Sequence, residues 1–506
     1  MATTTALEHA AHAGQAHALP RVAGNRVPAL VARMRQIVGP TGVLTERADL
    51  AVYECDGFTV EKNKPDVVVF PTTTEQVAGV VKACNDLDVP FMARGAGTSL
   101  AGGCVPVGGG VMIGLSRMKR ILEVNVRDRY AVVEAGVVNV WLTGQLKPFG
   151  YHYAPDPSSQ GACTLGGNVA TNSGGPHTLK YGVTANHVLG VEMVLPDGTI
   201  VTTGGPCEAG PGGYDLTGVI VGSEGTFGIV TKAWVRITRN PEAQRTLLGV
   251  FATVDDATNT ISDIIGAGIV PAALELLDRP FIGAVEAAFH FGFPLDAAAV
   301  LIMEVDGLEA GLQEEADRVE AVARRNHAVE VRRAATEAER MLLWKARKQA
   351  FGTIGRMGHP SYCTQDGVVP RTRLPDIMRF IRGVSDRYAI PIANIAHAGD
   401  GNIHPVLLFD ERDPGQVRAV LAASGEILAE CIRLGGSVTG EHGIGVEKLD
   451  FMAKLFTETD LAAFVRVRSA FNPRNNCSPH KMLPTAGGCA EPSAVTAVKP
   501  GRRAAL

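Results

Sequence analysis

Nine cysteines (Cys55, Cys84, Cys104, Cys163, Cys207, Cys363, Cys431, Cys477 and Cys489) are scattered through 506 residues, and no two form a Cys-x-x-Cys pair. This odd, dispersed set excludes a disulfide framework and fits a reducing compartment. It also argues against an ordinary four-cysteine iron–sulfur site, so if the protein moves electrons the next carrier is expected elsewhere. Long apolar runs are missing too: the longest are strand-length, far short of a membrane span. Charge of one sign is not in excess, since 48 basic and 52 acidic residues leave a net charge of -4 and imply no polyanion partner. Met1–Gly24 has neither a basic start nor an apolar stretch, which argues against a signal peptide and for an unstructured leader over 1–26, with a transit peptide left open. The expected location is cytoplasmic, reaching the inner face of a membrane only through a partner.

What is present is ordinary for a globular protein: 46% hydrophobic and 20% charged residues, and length for two or three domains. Val27–Val38 reads as a helix. A strand, VVVF, follows at Val67–Phe70 and is stopped by Pro71; a helix capped by Thr74 runs to Asp88, with Val77, Val80, Val81 and Cys84 at helical spacing. A second strand, Val89–Ala93, gives strand–helix–strand order and an α+β class. Arg94–Gly103, RGAGTSLAGG, is a glycine-rich turn able to close backbone N–H groups on a phosphate. It is not the G-x-G-x-x-G fingerprint, because after Gly95 and Gly97 the next glycine is Gly102. On its own it reads equally well as a plain loop.

Pro155–Gly175 is more telling. Its twenty-one residues hold five glycines, eight of Ser, Thr, Asn or Gln, and one charge, Asp156. Neutral hydrogen-bonders on a small-residue backbone suit close wrapping around a large polar cofactor better than they suit a solvated linker. His177, Lys180 and Tyr181 follow and read as surface residues. Val188–Thr203 is a hairpin turning at Pro196-Asp197-Gly198, and Gly222–Ile237 pairs a small-residue turn with an alternating strand. Asn240-Pro241 marks a boundary. Beyond it, strands and helices alternate as an α+β layer of ferredoxin-like order, with Arg347 on a helix over Glu337–Phe351.

Asn394–Asp410, NIAHAGDGNIHPVLLFD, reads as a β-hairpin with Asp400-Gly401 as a two-residue type I′ loop. That register sets His397 opposite His404 with Cβ atoms about 5 Å apart, and Pro405 opposite Ala396. Two imidazoles so placed can grip a metal ion; two ordinary sheet histidines would look the same. Asp413 caps a long helix from Pro414 to Leu434, and Gly435–Gly445 then sets Glu441-His442 among five glycines, where packing gives no reason for the pair.

The motifs PTTTEQVAGVV, RGAGTSLAGG, PSSQGACTLGGNVATNSGG, HTLKYG, VGSEGTFGIVT, HAGDGNIHP, GGSVTGEHGIG and FNPRN, spread over Pro65 to Leu483, resemble those of FAD-linked oxidases of the vanillyl-alcohol oxidase type. The likeness is to the branch holding the glycolate oxidase D subunit and the D-2-hydroxy-acid (D-lactate) dehydrogenases. It implies an α+β fold: a p-cresol methylhydroxylase (PCMH)-type FAD-binding domain of two subdomains over 27–240, a ferredoxin-like antiparallel-sheet substrate domain with a C-terminal helical cap over 241–484, and an unstructured tail over 485–506.

It also implies flavin contacts at Arg94, Gly95, Gly97, Thr98, Ser99, Pro157, Ser158, Gly166, Gly167, Asn168, Ser173, Gly174, Glu224, Gly228 and Ile229. Relatives with covalent flavin carry His where Thr98 stands, so non-covalent FAD is expected, with Cys163 a remote thioether candidate. The resemblance assigns His397, His404 and Glu441 to a divalent metal (Zn, Mn or Fe) and His442 to the catalytic base; Arg347 is the expected carboxylate clamp. The segment matching a lysine-bearing stretch of dicarboxylate-selective relatives, Tyr362–Asp366, has no lysine. Oxidation of glycolate or D-lactate to the 2-oxo acid is therefore the expected reaction, with an iron–sulfur subunit, a cytochrome or a quinone as electron acceptor. The rival readings are a non-catalytic flavin subunit, a flavin-dependent synthase of the same fold, and a metal-binding protein without redox function.

Overall fold

The computed structural model describes residues 26–206 and 213–484. Apart from Arg26, the leader expected over 1–26 lies outside the described residues, as do the tail over 485–506, Cys207 and Cys489.

Two larger sheets and a two-stranded pair, Tyr151–His152 with Thr238–Arg239, make up the described N-terminal half. The first runs in the order Val43–Leu44, Val67–Val69, Val111–Gly114, Phe91–Arg94, and its last three strands are parallel. A parallel sheet covered on both faces explains why Val67, Val68 and Val69 show no alternation and are all 0% exposed. The helix Thr74–Asp86 lays Val77, Val80 and Val81 on one face of this sheet. Its cap is Thr73, one residue before the expected Thr74: Thr73 Oγ1 accepts the Gln76 N–H at 3.3 Å. Thr74 is buried instead, donating to Glu192 Oε1 at 2.6 Å. The second sheet is antiparallel, in the order Ile121–Asn125, Tyr130–Glu134, Ile229–Arg236, Val188–Val194, Ile200–Gly204.

The C-terminal half is built on one antiparallel sheet. Four strands stand in the order Glu330–Arg333, Ala243–Phe251, Ala299–Gly307, Ala273–Asp278. In chain order these are the fourth, first, third and second, with Val254–Gly266 and Glu309–Arg325 as the crossing helices, which is the ferredoxin-like arrangement. Ile392–His397, Asn402–Phe409 and Ser361–Thr364 extend it. Pro414–Arg433, Leu449–Leu455 and Glu458–Phe471 form the helical cap. From there the chain returns to the first domain: Ser478 N–H donates to the Phe91 carbonyl at 2.8 Å, and Phe91 N–H to that of Asn476 at 2.9 Å. No described helix is long and apolar enough to cross a membrane.

The hairpin Ile392–Phe409 is present, but its register differs from the expected one. His397 pairs with Asn402, Ile395 with His404, and Asn394 with Pro405. The loop is not a two-residue type I′ turn. It takes four residues, a helical turn over Ala398–Asp400 closed by Gly401 at φ +76°. A Cβ on Gly401 would collide with the Val369 carbonyl, so only glycine fits. The register is displaced by two residues, and an even displacement leaves every side chain on its face. His397 and His404 are thus diagonal rather than opposite, still on one face, with ring centroids 5.1 Å apart.

Candidate functional site

His397, His404 and Glu441 converge on one point. Glu441 Oε1 lies 3.3 Å from His397 Nε2, 3.4 Å from His404 Nε2 and 3.6 Å from His442 Nε2. His397 and His404 are 3% and 2% exposed. His404 Nε2 and Glu441 Oε2 are buried without a hydrogen-bond partner, a costly state for polar atoms unless something else engages them. A nitrogen–nitrogen–carboxylate set with orphaned lone pairs fits a divalent cation, with coordination positions left for substrate. Burial depresses the basicity of His397, but the carboxylates of Glu275 and Glu441 outweigh it and raise its pKa to about 10. Burial works against ionisation of Glu441 too, yet the imidazoles, His397 foremost, hold its carboxyl well below the usual range.

Behind these residues stands a second set that the sequence analysis missed. Glu275, in the fully buried strand Ala273–Asp278, pairs in register with His397 and accepts from its Nδ1 at 2.8 Å. A carboxylate accepts only, so Nδ1 carries the hydrogen and Nε2 is turned towards Glu441. Arg347 is 1% exposed, with Nε 2.5 Å from Glu275 Oε2. It is neither a solvated helix residue nor a free guanidinium: it neutralises Glu275. Asp366 anchors the other side. Its Oδ2 accepts Thr439 Oγ1–H at 2.6 Å and the N–H groups of Gly440, Glu441 and His442 at 3.0, 3.2 and 2.9 Å. Burial opposes ionisation of Asp366, but His442, Lys448 and His404 keep its pKa lowered. His442 stacks on His404, centroids 4.8 Å apart and planes within 12°.

A cavity opens onto this cluster. Its wall contains thirteen of the fifteen expected flavin contacts: Gly95, Gly97, Thr98, Ser99, Pro157, Ser158, Gly166, Gly167, Asn168, Ser173, Glu224, Gly228 and Ile229. His404, Glu441, His442, Lys348 and Cys163 share the same wall. Arg94 and Gly174 do not line it. Arg94 Nη1 donates to the Cys55 carbonyl at 2.8 Å, and a Cβ on Gly174 would stand 3.1 Å from Glu441 Oε2. The glycines let the turns that wall the cavity pack closely on their neighbours: a Cβ on Gly95 would collide with Thr164 Oγ1, and one on Gly97, which has φ +74°, with the Arg94 guanidinium. A flat, polar dinucleotide fits this lining. Glu224 also ties the two halves together, accepting the N–H of Ile444 at 2.6 Å and of Gly445 at 2.7 Å.

Comparison with known proteins agrees with this geometry. The family model described as FAD linked oxidases, C-terminal domain, matches residues 240–482, and the FAD binding domain matches 65–204. Glycolate oxidase subunit GlcD of Escherichia coli (strain K12) is 41% identical over 474 residues, 94% of each chain. The chain belongs to the FAD-linked oxidase family. Other relatives of this FAD-linked oxidase include GlcD of Bacillus subtilis (strain 168), 38% identical over 88% of this chain and 95% of that one. A mitochondrial D-lactate dehydrogenase [cytochrome] of Arabidopsis thaliana is 32% identical over 85% of this chain and 75% of that one. Among solved structures, p-cresol methylhydroxylase with substrate bound superposes with a TM-score of 0.79 at 18% identity, covering 92% and 98% of the two chains. An alkyldihydroxyacetonephosphate synthase does so at 0.69 and 20%, covering 92% and 86%. These two likenesses show the PCMH-type fold alone.

Proposed function

We propose that this FAD-linked oxidase oxidises a short 2-hydroxy acid, glycolate or D-lactate, to the 2-oxo acid. The supporting observation is the convergence of His397, His404 and Glu441 on one point, with His404 and Glu441 in the wall of the glycine-lined cavity. When bound, non-covalent FAD supplies the two-electron acceptor, and a divalent ion on His397, His404 and Glu441 supplies Lewis acidity towards the substrate hydroxyl and carboxylate. His442 takes the hydroxyl proton at Nε2, the nitrogen that faces Glu441. Asp366 holds the loop that carries His442, through the backbone N–H groups it binds. For the substrate carboxylate the cavity wall offers Lys348, while Arg347, the expected clamp, is buried on Glu275 behind His397 and acts through that pair. Electrons leave to a separate carrier, an iron–sulfur subunit, a cytochrome or a quinone, and the protein works in the cytoplasm. The dehydrogenase reading is favoured over the synthase because the relatives at 41% and 38% identity are glycolate oxidase subunits.

The test is anaerobic mixing of the purified holoprotein with a panel of hydroxy acids while flavin absorbance is followed. Bleaching by glycolate or D-lactate is expected. A flavin that no 2-hydroxy acid bleaches overturns the reading in favour of a non-catalytic subunit or a synthase.

A further inference from the structure

Lys481 is one of the largest fully buried side chains, 1% exposed, and no motif above contains it. Its ammonium meets only backbone in the bonds it makes: the carbonyls of Gly102 at 3.3 Å, Gly103 at 2.7 Å and Val105 at 2.6 Å. Gly103 and Cys104 are in the cavity wall, at the end of the glycine-rich turn. The C=O and N–H of a trans peptide point in opposite directions. Anchoring the Gly102 carbonyl on Nζ therefore turns the Gly103 amide away from the lysine. Cys104 N–H is fixed separately, on Asp56 Oδ2 at 3.1 Å.

The segment that delivers Lys481 is itself strained. Asn475, Ser478, His480 and Met482, none of them glycine, have φ of 50°, 47°, 60° and 67°. Such conformations persist only where the surroundings impose them, and they gather at functional sites. Here the imposing contacts are Arg468, donating to the Lys481 and Ser478 carbonyls at 3.1 and 3.3 Å, and the strand-like bond of Ser478 to Phe91. The chain thus holds a strained turn so that an ammonium sits behind the phosphate-binding type of loop from the opposite end of the sequence.

We propose that Lys481 is a positioning residue for the flavin dinucleotide: it shapes the Gly102–Val105 turn and supplies the positive charge that offsets the diphosphate. The inference rests on the FAD reading. The groups that act on Lys481 are Cys104, Asp56 and Glu224, which favour its charge, and Arg94, which opposes it; burial outweighs them and lowers its pKa to about 8. The ammonium therefore loses its proton as the medium turns mildly alkaline.

The experiment uses full-length holoprotein and follows flavin fluorescence after dilution into flavin-free buffer. Lys481→Met is expected to release FAD faster by roughly ten- to a hundredfold, the scale of a lost charge-assisted hydrogen bond, with Lys481→Arg in between. Release from the wild-type protein should accelerate from about pH 7 to about pH 9, and stay flat in the Met variant. Wild-type release that ignores pH over that span overturns the inference even if the variants do not fold. So does a folded Met variant that keeps its flavin as long as the wild type. A wild-type protein that purifies without any flavin sinks the FAD reading instead, which separates the two failures.

Discussion

Glu275 and His397 face each other across adjacent strands, and the carboxylate accepts from the imidazole Nδ1 at 2.8 Å. A sheet pair is a rigid mount, so the direction of His397 Nε2 is set before any ion arrives. Glu275→Gln keeps the shape and removes the charge. Its affinity for Zn or Mn should fall by about 10–100-fold, with FAD content unchanged, as read by metal titration against a competing chelator. Wild-type affinity in that variant means that the pair only fills space.

The two neighbouring cations should behave differently. Lys348→Met is expected to raise KM for glycolate by about tenfold while metal affinity and thermal stability stay as they were. Arg347→Met leaves Glu275 buried without its partner and should cost about 3–5 kcal/mol of stability by denaturant unfolding, with metal affinity changed as well. Identical profiles for the two variants would contradict the placement of Arg347 behind His397.

His442→Ala removes the proposed base. Flavin reduction in stopped flow should slow by about a hundredfold or more with KM for the substrate nearly unchanged. Reduction at the wild-type rate refutes the assignment.

Stability should carry a pH signature from His177. It sits between Asp156, 2.9 Å from Nδ1, and Glu304, 3.6 Å from Nε2, and so joins the flavin domain to the substrate domain. Burial lowers its basicity, but the two carboxylates prevail and lift its pKa to about 10 from an ordinary 6.5. A histidine whose folded pKa is raised stabilises the fold fully below the ordinary value, and that contribution disappears as pH rises through the folded value. Melting temperature should therefore decline between these two pH values, and decline less in His177→Asn. A steeper decline in the variant contradicts the latch.

Residue type alone left the hairpin histidines open to an ordinary sheet role and the first glycine-rich turn open to a plain loop; the Glu-His pair among glycines and the charge-poor stretch Pro155–Gly175 were more restrictive, and the resemblance of the motifs joined them into one candidate site. The shared face of His397 and His404 survived an error of two in register, because side-chain direction depends only on parity. Glu275, Asp366 and Lys481 were not legible. Each acts through a partner more than seventy residues away in sequence, or, for Asp366, through backbone N–H groups of a loop equally remote. The one available signal was Glu275 itself, a lone carboxylate in the run Ala272–Leu277 that is otherwise apolar. Lys180 and Tyr181 read as surface residues because their partner, Asp306, belongs to the other domain, and His177 likewise adds Glu304 from that domain to its nearer partner Asp156.

His397, His404 and Glu441 are proposed to share a divalent ion beside the flavin. The most direct measurement is the metal content of purified, flavin-loaded protein, by elemental analysis, for the wild type and Glu441→Ala side by side. About one Zn, Mn or Fe per wild-type chain and almost none in the variant is the predicted result. A wild type that carries no such ion, gains none on titration, and still reduces its flavin with glycolate or D-lactate would contradict it.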